Sequence, residues 1–152
     1  MRLTIACVGR LRDGPMLALY RDYAGRLAWP LTLKEVEERR ALPPARRLAA
    51  EAKLLSEAIP KTARVVALDE RGRALSSAEL ARTIARWRDD GAADIAFVIG
   101  GADGLDPELK KRASLLLSLG PMTWPHLLCR ALLAEQLYRA QSILSGHPYH
   151  RE

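Results

Sequence analysis

The chain closes on His147-Pro148-Tyr149-His150-Arg151-Glu152, a hexapeptide in which every residue but the proline carries a group that donates, accepts or moves protons. Chain ends usually fray and carry little. An aromatic ring, an imidazole and a guanidinium in immediate succession can instead stack on a flat ligand, exchange a proton near neutral pH and grip an anion. The competing reading is purely structural: the hexapeptide pins the chain end by hydrogen bonds.

A second chemistry-bearing pattern recurs in three short stretches, "LDERG" (68–72), "IGGADG" (99–104) and "LGPMTWPH" (119–126). Each follows an apolar run, and the last two lack any Lys or Arg while combining glycine with small or apolar residues. Glycine lets a ligand lie directly against backbone N–H and C=O groups. Known phosphate-cradling signatures do not fit. "VGRLRDG" after the first apolar run is not G-x-G-x-x-G, "GGADG" is not either, and no G-x-x-x-x-G-K-[ST] occurs, so neither a dinucleotide fingerprint nor a P-loop is present. On spacing alone, Gly100, Gly101 and Gly104 are equally a tight turn into a helix.

The elements that must position these stretches alternate. Strands are predicted over 2–9, 31–40, 64–72 and 93–104, and helices over 13–29, 45–59, 76–91 and 106–120. Ser76 and Glu79 stand at capping-box spacing, Pro43-Pro44 separates the second strand from its helix, and Asp106-Pro107 opens the fourth helix. "PMTWP" (121–125) is a short strand candidate, and 126–146 form the longest helix. This β-α succession predicts an α/β fold, a mostly parallel sheet with helices on both faces, as one domain over 1–152. In open parallel sheets ligands bind beyond the carboxyl ends of the strands, where all three stretches fall.

With 152 residues, 49% hydrophobic and 28% charged, the chain can bury a core of its own. Cys7 and Cys129 lie far apart and outside any C-x-x-C, which predicts buried thiols in a reducing cytosol rather than a disulfide or zinc site. No metal-ligand cluster and no export signal is visible. Ala113–Cys129 carry no formal charge, but Gly120-Pro121 and Pro125 exclude a membrane span and leave a buried strand with loops. The charge is unevenly placed. Residues 1–64 hold 13 Lys and Arg against 7 Asp and Glu, whereas 65–152 hold 11 of each, so the whole net +6 lies in the first part. Such a surface attracts polyanions such as RNA.

"FVIGGADGL", "LGPMTWPHLLCRALLAEQLYRAQSIL" and "GHPYHRE", in this order and spacing, resemble the ribosomal large subunit RNA methyltransferase H family, within the SPOUT class of knotted methyltransferases. The resemblance spans the whole chain and is strongest over Ile95–Glu152. It implies methyl transfer from S-adenosyl-L-methionine to N3 of a pseudouridine in large-subunit (23S) ribosomal RNA, on the assembled ribosome, by a cytoplasmic homodimer with a C-terminal trefoil knot. It also implies that Leu68, Gly100, Gly101, Gly104 and the run Leu119, Gly120, Pro121, Met122, Thr123, Trp124 line the cofactor pocket. His150 is then the candidate base, with Tyr149 second and Arg151 on phosphate. No metal is needed, because the sulfonium already carries its leaving group.

Two further expectations come from the residues. The helix at 126–146 has almost no polar face, which predicts burial against a second copy of the chain, with Glu135 and Arg139 paired along it. Arg10, Arg12, Arg21, Arg26, Arg39, Arg40, Arg46 and Arg47 supply the basic surface for the ribosome. The alternatives are a catalytically silent ribosome- or RNA-binding protein of the same fold and, disfavoured by the missing fingerprint, a nucleotide-dependent oxidoreductase.

Overall fold

The computed structural model describes residues 1–151; Glu152, the last residue of the terminal hexapeptide, lies outside the described residues. Five strands and five helices alternate along the chain: β1 (Arg2–Val8), α1 (Pro15–Arg26), β2 (Leu31–Val36), α2 (Pro44–Ala58), β3 (Arg64–Ala74), α3 (Ser77–Asp89), β4 (Asp94–Ile99), α4 (Pro107–Lys111), β5 (Leu115–Ser118) and α5 (His126–Ser145). All strand pairs are parallel, in the order β2-β1-β4-β3-β5.

Alternation along the central strands sends side chains to two cores. Leu3, Ile5 and Cys7 of β1 and Ile95, Phe97 and Ile99 of β4 meet Tyr20 of α1, Ile84 of α3 and Leu133 and Leu137 of α5. Ala6, Val8, Ala96 and Val98 point the other way, against Leu55 of α2 and Leu109 of α4. Both faces are therefore covered, which is why β4 reads as a continuous apolar run. The capping box forms as its spacing predicts: Ser76 Oγ accepts from Glu79 N–H at 3.2 Å, and Glu79 Oε2 accepts from Ser76 N–H at 2.7 Å.

One expected helix is corrected. Residues 106–120 do not form one helix, and "PMTWP" is a loop rather than a strand. The helix stops after five residues, and Leu115–Ser118 form the edge strand β5 instead. Leu115-Leu116-Leu117 has no helical period, and a short apolar run fits a buried strand as well as a helix. The neighbouring strand decides: Ser114 N–H donates to Val65 O at 2.8 Å, and Val66–Leu68 pair with Leu115–Leu117.

The third strand is longer than expected and broken. Its register with β5 shifts between Leu68 and Arg73, so Asp69–Gly72 bulge out of the ladder before Arg73 and Ala74 rejoin it opposite Leu117 and Ser118. The bulge lies close enough to exclude any side chain at Gly72, where a Cβ would stand 2.6 Å from the Leu116 carbonyl.

Candidate functional site

The carboxyl ends of β3, β4 and β5 converge on one cleft of about 490 Å³. From β3 come Leu68 and the displaced Asp69, Glu70 and Arg71; from β4, Ile99 and Gly100–Leu105. The β5–α5 loop contributes Leu119, Gly120, Met122, Thr123 and Trp124. Of the ten residues that the resemblance maps to a pocket, nine line this cleft; Pro121 is exposed and does not.

The loops are built to expose backbone. Gly104 (φ 80°) and Gly120 (φ 106°) take left-handed conformations that other residues rarely adopt. A Cβ at Gly100 would stand 2.3 Å from Gly104 O, so the β4 loop closes only around bare backbone. Ser118 ties two loops together: its Oγ lies 3.1 Å from Glu70 O and accepts from Gly120 N–H at 3.1 Å. Trp124 Nε1 donates to Leu119 O at 3.3 Å and braces the third loop, from which Met122 projects 67% exposed.

Charge in the cleft is mixed and ordered. Asp69 binds Lys110 Nζ at 2.9 Å and accepts from Arg71 N–H at 2.8 Å. Burial pushes its carboxyl up, but these partners outweigh it and hold the group below its ordinary range. His126, the first residue of α5, also lines the cleft; burial and the nearby Arg130 cation hold its imidazole below its usual value. Cys129 is half-buried on the cleft wall, its thiol pushed up by burial, whereas Cys7 lies in the core with its thiol pushed up to about 12.

Arg130 anchors α5 beneath these loops. Its guanidinium is fully buried, donating to Glu35 Oε2 at 2.6 Å, Val8 O at 2.7 Å and Gly9 O at 3.0 Å. One turn of α5 is thereby fastened to the ends of β1 and β2. Sequence reasoning left Arg130, His126, Asp69 and Glu70 out of its site list, although all stand inside the stretches it singled out. The signal available was position: each falls at a strand end or in the first turns of the helix that follows.

The terminal residues sit elsewhere. Tyr149, His150 and Arg151 do not line the cleft. Tyr149 folds back along α5, its ring centroid 4.7 Å from that of Tyr138, with the Arg139 guanidinium 4.8 Å from the ring centroid. Its hydroxyl donates to Glu135 Oε1 at 2.9 Å and lies 3.3 Å from the Tyr23 hydroxyl. Burial first, and then these two neighbours, push the Tyr149 phenol above its ordinary range. His150 Nδ1 is buried without a hydrogen-bond partner among the described residues. Glu135 also pairs with Arg139, as the spacing predicts.

Between cleft and tail runs an apolar groove of about 670 Å³, sharing Leu119, Gly120 and Trp124 with the cleft and Tyr23 and Glu135 with the tail cluster. Exposed Leu19 lies along it. All eight arginines of the expected basic surface are exposed. Among the described residues no group of acidic, Cys and His side chains could hold a metal ion, and no helix is long and apolar enough to cross a membrane.

The sequence model of a family described as "Predicted SPOUT methyltransferase" matches residues 1–150. The chain belongs to the SPOUT methyltransferase family. Within it, the chain is 60% identical over 99% of both chains to the ribosomal RNA large subunit methyltransferase H of Rhodospirillum centenum. It is 56% identical, again over 99% of both, to the protein of the same name from Paramagnetospirillum magneticum. The fold is also similar to that of a probable methylase family protein from Haemophilus influenzae, with a TM-score of 0.61 at 16% identity over 99% of this chain and 70% of the other. A probable methyltransferase from Bordetella pertussis gives 0.58 at 19%, over 91% and 95%.

Proposed function

We propose that this protein is an S-adenosyl-L-methionine-dependent methyltransferase that modifies N3 of a pseudouridine in large-subunit ribosomal RNA on the assembled ribosome. The observation that carries the reading is the convergence of three backbone-exposing strand-end loops on one cleft, in a chain of this family. The cleft's chemistry fits the methyl donor. Leu68, Ile99, Leu117 and Leu119 offer apolar walls to a flat adenine, while the turns at Gly100, Gly101, Gly104 and Gly120 offer N–H and C=O groups to its polar edge. With Asp69 paired to Lys110, Glu70 and Asp103 stand against Arg71 alone, a small negative excess that suits a cationic ligand. When bound there, S-adenosyl-L-methionine supplies an electrophilic methyl group that needs neither metal nor covalent intermediate.

The chain's own residues then have three tasks. The loops fix the donor, the tail positions the base to be methylated, and one group takes the N3 proton. His150 is assigned the last task, since its Nδ1 lacks a partner. Tyr149 is assigned stacking and hydrogen bonding: a phenol held above its ordinary pKa keeps its proton at neutrality. Arg151 is assigned a phosphate. Because the tail lies beyond the reach of its own cleft, it serves the cleft of a second protomer docked along the apolar groove and α5. The trefoil threading belongs to the same reading.

The test is to treat ribosomes with purified protein and isotopically labelled donor and to map the label. Label at N3 of one pseudouridine of the large subunit is the expected result. Donor binding by calorimetry without any methylation would instead favour a silent ribosome-binding protein.

A further inference from the structure

A second cavity, of about 550 Å³, opens at the carboxyl ends of β1 and β2, beside the cleft. Val8 and Glu51 line it, and Gly101 of the neighbouring cleft forms the partition: a Cβ on Gly101 would lie 3.1 Å from Val8 Cγ1 and 3.8 Å from Glu51 Oε1. Its rim carries Arg39, Arg40 and Arg47. They are not equally engaged. Arg40 is held by Glu38, its Nε and Nη2 at 2.9 and 3.1 Å from the two carboxylate oxygens. Arg39 only grazes Glu37 at 3.9 Å and is 82% exposed. Arg47 is exposed and has no ion-pair partner among the described residues.

Glu51 is the unexplained group. It is 8% exposed, makes no hydrogen bond or ion pair among the described residues, and faces this cavity. Its carboxylate oxygens open onto the cavity and have no protein partner there, so they are available to accept from a ligand. Burial pushes it above its ordinary range, and Asp103 and Glu38 push the same way against Arg47. Nothing in the chemistry assigned to the cleft uses it. A ligand suited to both features needs hydrogen-bond donors at one end and anionic oxygens at the other.

We infer that this cavity is a nucleotide subsite: Glu51 accepts N–H donors from a base edge, guanine offering two in parallel, while Arg39 and Arg47 hold the flanking phosphates. The inference rests on the RNA-modifying reading above. It adds a second point of contact, one wall away from the methyl donor, which orients the strand carrying the target base. Cavities of this size commonly take small ligands, and carboxylates read N–H donors on base edges.

The experiment uses the full-length protein. Steady-state methylation of ribosomes is measured for the wild type and for the double variant Arg39→Ala/Arg47→Ala, with donor binding followed by calorimetry. The expected result is a KM for ribosomes raised about tenfold and a salt slope of log affinity reduced by about 2, each lost phosphate contact removing about one unit, while kcat and donor affinity hold. An unchanged KM and salt slope overturns the subsite without touching the assigned activity. Separately, Glu51→Gln is titrated with short single-stranded oligonucleotides, guanine-containing or all-uridine. A preference for guanine that falls about tenfold, the worth of a paired base-edge contact, supports the base assignment; equal affinities before and after overturn it. This binding arm reads out even if ribosomes prove not to be the substrate, so the failure of the subsite and the failure of the function are separable.

Discussion

The strand-end cleft and the tail cluster lie at two places along the same terminal helix and are built differently. The cleft is shaped by backbone: glycines at 100, 104 and 120 bend in ways or to distances that side chains forbid, so peptide groups join the charged side chains at Asp69, Arg71 and Lys110 on its polar surface. The cluster around Tyr149 is made of side chains: three tyrosine rings, two arginines and one carboxylate on the face of α5. Backbone fixed by a sheet is preorganised and opens only with the fold, whereas a tail held by a few hydrogen bonds and ring contacts can undock at small cost. The contrast suits the roles proposed above: a small donor needs a permanent cradle, and a ribosome needs something that closes after it arrives.

Five experiments bear on that contrast. Deleting residues 147–152 is expected to lower methylation by roughly 10²–10⁴-fold, the usual contribution of a general base, with donor affinity nearly unchanged by calorimetry. Full activity in the truncated protein would remove the tail from the mechanism. Gly100→Ala should do the reverse. Its methyl cannot coexist with Gly104 O at 2.3 Å, so donor affinity should fall by on the order of a hundredfold, as ångström-scale misplacements do.

Arg130→Met tests what connects the two regions. It takes the donor from Val8 O and Gly9 O, leaves Glu35 with the Leu11 N–H alone, and is expected to destabilise the protein by about 2–3 kcal/mol in denaturant unfolding; a loss under about 1 kcal/mol would mean that α5 does not depend on this anchor. Tyr149→Phe keeps the ring contacts and removes the hydroxyl bound to Glu135. It should cost about fivefold in activity, one hydrogen bond of about 1 kcal/mol, and leave donor binding alone. The smallest effect is expected from pH. The Asp69 carboxyl titrates below its ordinary range because of Lys110 and the Arg71 amide. The stability it contributes is thus complete above the unfolded-state carboxylate pKa and is lost as pH falls through the lower folded value. Lys110→Ala should return Asp69 toward its ordinary pKa in an NMR titration and shrink that acid-side loss.

Much of this arrangement was legible in the residues. The alternation of β-branched runs with capped, proline-started helices determined the α/β class, because sheet and helix periods differ and Gly and Pro punctuate them. Glycines after apolar runs marked the cleft loops, since only a turn that needs bare backbone concentrates them there. Two things were decided by the tertiary structure alone. Leu115-Leu116-Leu117 reads as helix or strand until β3 offers it a hydrogen-bonding edge, and a short apolar run has no period of its own with which to choose. Glu51 reads as one more solvated charge on a helix, until α2 packs its stem against the turn at Gly101 and turns its carboxylate into a cavity lined by Arg39, Arg40, Arg47, Glu37 and Glu38. Burial is a property of what surrounds a residue, and no single-chain pattern encodes surroundings that lie fifty residues away.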